Sequence, residues 1–114
     1  MASNPLIPVG NGFDLTTSFQ DIYTVPSNKS RAGIDAIVFN NYSSVNVTIT
    51  IRIVQIIPSS IFDEVVTERT IRAKEPFLAP SIIGQSILTG GKLQVKVSVN
   101  NSVSGKLTVT EIDL

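Results

Sequence analysis

Residues 45–53, VNVTITIRI, alternate without a break. Val45, Val47, Ile49, Ile51 and Ile53 fall on one side and Asn46, Thr48, Thr50 and Arg52 on the other. A period of two is the mark of a pleated strand with one face toward a core. A slip of one residue would put the whole apolar row in water, so the register of this strand is firmly specified. Two later segments carry the same pattern. LQVKVSV (93–99) sets Leu93, Val95, Val97 and Val99 against Gln94, Lys96 and Ser98, and KLTVTEI (106–112) alternates through Leu107, Val109 and Ile112 with one slip. The chain has 15 Ile, 13 Val and 10 Thr among 114 residues, against 5 Ala, 7 Leu and 4 Glu. β-branched side chains suit a pleated sheet, and the good helix formers are scarce. Helix content should be small.

The remaining segments fit one all-β domain. FQDIYTV (19–25) reads as a strand ended by Pro26, and PSNKS as a turn. RAGIDAIVFN (31–40) is apolar on both faces and reads as a central, covered strand. NNYSS joins it to 45–53, which predicts an antiparallel hairpin. Segment 61–75 reads as two strands, 61–66 and 69–74, or as a short helical turn, since Ser60 with Asp63 resembles a capping pair. IIGQSIL (82–88) reads as a strand with a glycine irregularity, TGGK as a tight turn and NNSVSG (100–105) as a hairpin loop. Short strands at roughly ten-residue spacing indicate a two-sheet antiparallel β-sandwich, Ig-like or jelly-roll-like. Residues 1–12, MASNPLIPVGNG, hold two prolines and two glycines and no period. They read as an extended arm outside the sheets, ahead of a sandwich domain at 13–114. Pro5, Leu6, Ile7, Pro8 and Val9 are the candidate docking residues, tucked onto their own domain or laid on a neighbour.

The chemistry available is narrow. The chain has no histidine and no cysteine, which rules out Ser–His and Cys–His nucleophile pairs and the ordinary zinc ligand sets. No phosphate-cradling glycine motif is present. Asp63, Glu64 and Glu68 form the single acidic cluster. Interleaved with Arg69 and Arg72, it reads as a solvated face rather than a carboxylate pair or a calcium site. Four N-x-[ST] sequons, at Asn28, Asn41, Asn46 and Asn100, read as chance in an Asn- and Ser-rich chain. Nine Lys+Arg balance nine Asp+Glu, giving a net charge of zero. That argues against a nucleic-acid partner. MASNPLIPVG lacks a basic region followed by a long apolar run, and no apolar stretch reaches the length of a membrane-spanning helix. The expectations are no enzymatic activity, no cofactor, no metal, and neither nucleic acid nor membrane as partner. Low charge and high aliphatic content suit a subunit of an assembly.

The stretch TSFQDIYTVPSNKSRAGIDAIVFNNYSSVNVTITIRIV resembles a pattern in small virion proteins of tailed bacteriophages. A strand ending in YTVP leads to a small-polar turn, then an apolar strand ending in NN, then an alternating Val/Thr/Ile strand. GGKLQVKVSVNNSVSGKLTVTEI resembles the C-terminal pair of the same proteins. Together the two stretches span about two thirds of the chain. The resemblance implies a β-sandwich in a phage particle. The implied role is a capsid decoration, or cement, protein that binds the major capsid protein as a homo-oligomer, with a trimer favoured. A neck, tail or baseplate subunit of the same fold is the alternative, and a carbohydrate-binding sandwich a more distant one.

Overall fold

The computed structural model describes residues 6–8, 13–57, 60–79 and 82–113, and the side chains of 14–55, 67–79 and 82–113. The described chain is all strand and turn. Ten strands form in order: β1 (Leu6–Pro8), β2 (Phe13–Asp14), β3 (Gln20–Thr24), β4 (Lys29–Asn41), β5 (Val47–Ile57), β6 (Ser60–Ile71), β7 (Pro76–Leu78), β8 (Ser86–Leu88), β9 (Lys92–Val97) and β10 (Val103–Asp113). Every pairing is antiparallel.

One sheet runs β1-β10-β4-β7, with β2 completing the β1 edge and β8 completing the β7 edge; the other runs β3-β9-β5-β6. If the split edges β1/β2 and β7/β8 are each counted as one strand, the described residues form eight strands in two four-stranded sheets. The chain changes sheet at every connection between these strands except the β5–β6 hairpin. That order is a jelly roll. It also corrects two expectations. NNYSS does not close a β4–β5 hairpin, and residues 98–102 do not close a β9–β10 hairpin. β4, β5, β9 and β10 each carry a one-sided apolar row. Placing consecutive strands in opposite sheets lets both rows meet in one core across about 10 Å, a gap that a five-residue loop spans.

The core is where the periods said, with corrections at the ends of the rows. Val47, Ile49 and Ile51 of β5 and Leu93 and Val95 of β9 are fully buried, while Val45 and Val99 are exposed because they lie in the loops that leave the sheet. β4 is central, but it is not covered on both faces. Ala32 and Ile34 point inward, Asp35 is an extra residue opposite β10, and beyond it Ile37 and Phe39 point inward. A bulge thus shifts the phase by one residue, which is what makes the segment look apolar on both sides. Ala36 is exposed and Val38 half-buried on the outer face. Segment 61–75 contains no helical turn. Ser60–Ile71 is one strand with a bulge at Val66, between Thr67 opposite Ile51 and Val65 opposite Arg52. In 82–88 only Ser86–Leu88 is strand; Ile82–Gly84 form a turn.

The turn before β9 demands glycine twice. Gly90 takes φ +78, where L side chains are strained. A Cβ on Gly91 would sit 2.9 Å from the carbonyl oxygens of both Leu88 and Val54 and 2.6 Å from an Ile87 methyl.

Candidate functional site

The two ends of the sandwich differ. At one end the β3–β4 turn meets the β8–β9 turn through Val25 N–H to Gly91 O and Gly90 N–H to Val25 O. At the other end four loops gather: 15–19, 42–46, 72–75 and 98–102. Three asparagines tie them together. Asn41 is fully buried, and its amide nitrogen donates to the carbonyls of Val45 (2.8 Å), Ile71 (3.1 Å) and Arg72 (3.1 Å). Its Oδ1 accepts from the backbone N–H (3.0 Å) and hydroxyl (2.6 Å) of Ser43. Asn46 Oδ1 accepts from Ala73 N–H, and Asn100 Oδ1 accepts from Thr17 N–H. Three of the four sequon asparagines are therefore loop fasteners. Sequence reading took their N-x-[ST] sequons as chance. The missed signal was their position at the ends of strands that change sheet. These tied loops hold Tyr42, Val45 and Val99 in the open, 39–49% exposed.

The outer face of the β3-β9-β5-β6 sheet is polar and largely paired with itself. Thr48 and Thr70 share a hydrogen bond, Thr50 donates to Glu68, Arg52 donates to Gln94, and Gln94 and Lys92 both donate to Asp21. These bonds hold the Asp21 carboxyl below its ordinary value, the Gln94 bond most of all. The Phe19 ring has the Arg52 guanidinium 3.8 Å and the Lys96 ammonium 4.8 Å from its centroid.

A pair of polar side chains meets across the core. β3 has an extra residue at Ile22, which turns Tyr23 inward opposite Leu93. Position 111 of β10 is also inward, so the buried residue there is Glu111 rather than the expected Ile112. The Tyr23 hydroxyl donates to the Glu111 carboxylate, joining the two sheets. Burial first, then this bond and the negative charge beside it, push the Tyr23 phenol above its ordinary value. The unfolded chain therefore loses this proton first as pH rises. The stability tied to the pair is intact below about pH 10 and falls above it. Tyr23→Phe should cost about 1–3 kcal/mol at neutral pH by stranding Glu111, and its alkaline decline should be shallower. Urea denaturation at neutral pH and near pH 11 measures both; parallel pH profiles for the two proteins would contradict the assignment.

The candidate arm lies partly in the sheet. The backbone of Leu6, Ile7 and Pro8 pairs with Thr110, Val109 and Thr108 of β10. Sequence reading left residues 1–12 outside the sheets, and for these three residues the structure differs. The outer side of β10 accepts a short strand, and an edge position tolerates the N–H that Pro8 lacks. Pro5 and Val9 lie outside the described residues. Of the acidic cluster, Glu68 accepts from Thr50 at 3.2 Å, while the side chains of Asp63 and Glu64 lie outside the described set. Among the described residues no group of three acidic side chains could hold a metal ion, and no helix is long and apolar enough to cross a membrane.

No family model and no curated protein matches the chain. Among solved structures, a chain of the T13 viral particle of IBDV superposes with a TM-score of 0.53 at 15% identity, over 96% of this chain. The match covers 31% of that chain, so this protein spans about a third of its length. At that identity the likeness shows a shared fold.

Proposed function

We propose that this protein is a structural subunit of a virus particle: a non-enzymatic capsid decoration protein of a tailed bacteriophage that binds the major capsid protein. The observation that carries the reading is the superposition of 96% of the chain on part of a viral-particle chain. The strand order agrees with it, since a jelly roll is a common shell-building fold. The YTVP and LQVK stretches add the phage-like pattern. A rigid sandwich that touches several capsid subunits at once gains avidity from contacts that are individually weak, and so resists separation of those subunits.

Copy number tests the role. Quantitative mass spectrometry of purified particles should find the protein in numbers comparable to a shell component. About a dozen copies or fewer would indicate a ring at the neck, tail or baseplate and contradict the decoration role.

Deleting residues 2–12 tests the arm. The truncated chain should remain folded, because β1 contributes only three pairs at one edge, and it should attach to particles more weakly. Circular dichroism and co-sedimentation check the two halves. Unfolding, or undiminished attachment, would remove the arm from the contact.

A further inference from the structure

On one side of the sandwich the edge strands β6 and β7 face each other across an open mouth, a groove of about 260 Å³. Arg69, Thr70, Arg72, Glu75, Pro76 and Phe77 line it. Arg69 sits opposite Ile49, in the row of β6 that faces the core. At an edge that row opens to water, and the guanidinium reaches over Phe77, 5.1 Å from the ring centroid. This is the amphipathic use of a long side chain, with its stem along apolar surface and its charge at the rim. Arg72 follows at the end of the strand. Among the described residues neither guanidinium has a carboxylate partner. Two cations thus face the one carboxylate of Glu75 across an apolar floor of Pro76 and Phe77.

An inward charge on an edge strand also discourages pairing with another sheet. That role accounts for one charge of either sign; it does not account for a second cation beside the same groove. β6 ends its sheet and so offers an outer row of backbone groups to an incoming strand. We propose that this groove binds an extended acidic peptide segment of a partner protein, its carboxylates on Arg69 and Arg72 at the rim above Phe77. The proposal is independent of the virion reading.

The test uses the full chain labelled with nitrogen-15. It is titrated separately with the blocked peptides EVEVEV and KVKVKV and with inorganic phosphate at low ionic strength. The acidic peptide should move the amides of Thr70, Ile71 and Phe77 and bind at least about tenfold more tightly than the basic one. Added salt should weaken it. Arg72→Glu, whose parent side chain makes no described contact, should lower the acidic-peptide affinity several-fold with the rest of the spectrum unchanged. Arg69→Glu with Arg72→Glu should invert the preference. No shift with EVEVEV, equal binding of the two peptides, or an unchanged affinity in Arg72→Glu would overturn the proposal. So would phosphate that moves the same amides and displaces the peptide, since it would give the guanidiniums to a phosphate group instead.

Discussion

Phe39→Ala should remove about 3–5 kcal/mol of folding free energy, the range for deleting a buried phenylalanine ring. Phe39 is fully buried near the C-terminal end of β4, and its ring stacks on Phe77 with centroids 6.4 Å apart and planes 20° apart. A domain of this size has about 5–15 kcal/mol in total, so the variant should be partly unfolded near physiological temperature. The adjacent Val38 lies on the outer face opposite Leu78, and Val38→Ala should cost less than about 1 kcal/mol. The contrast tests the bulge at Asp35, because without that change of phase Val38 would be the inward residue. Urea denaturation reads both costs from the midpoint, provided the slope is unchanged. Comparable losses for the two variants would mean the phase of β4 is wrong.

Asn41→Ala should cost about 3 kcal/mol or more. The single amide serves the carbonyls of Val45, Ile71 and Arg72, and its oxygen serves Ser43. Each group left without a partner in a buried setting costs about 1–3 kcal/mol, less where water can enter beside the loop. Asn41→Asp should fare no better, since it replaces the donor with a charge that faces carbonyl oxygens. Thermal unfolding measures the loss, and amide exchange should quicken in residues 42–46 and 72–75 together, because the same side chain holds both loops. A change within about 0.5 kcal/mol would show that the loops hold themselves.

The core rows were legible because alternation in 47–53 and 93–97 admits one register. The topology was not. A five-residue loop can close a hairpin or cross to the other sheet, and local turn chemistry does not separate the two. What separates them is that β4 pairs with β10 and β5 with β9, contacts at least 38 residues distant in sequence. The bulges at Asp35 and Ile22 were hidden for a related reason: each shows only as a change of phase against a partner strand. Glu111 was hidden because a carboxylate at an inward position looks like a slip in the pattern until Tyr23 is placed across from it. The arm was read from its prolines, which exclude it from a sheet interior but not from an edge. The groove of Arg69 and Arg72 was read as part of a solvated face, since Phe77 approaches Arg69 only when the two sheets are stacked.

Imaging purified particles at a resolution that separates strands tests the proposed decoration role. A two-sheet density that repeats over the head, fits this jelly roll, and touches at least two major capsid subunits per copy is the expected result. Finding that density only at the neck, tail or baseplate, or finding no such density in the particle, would contradict it.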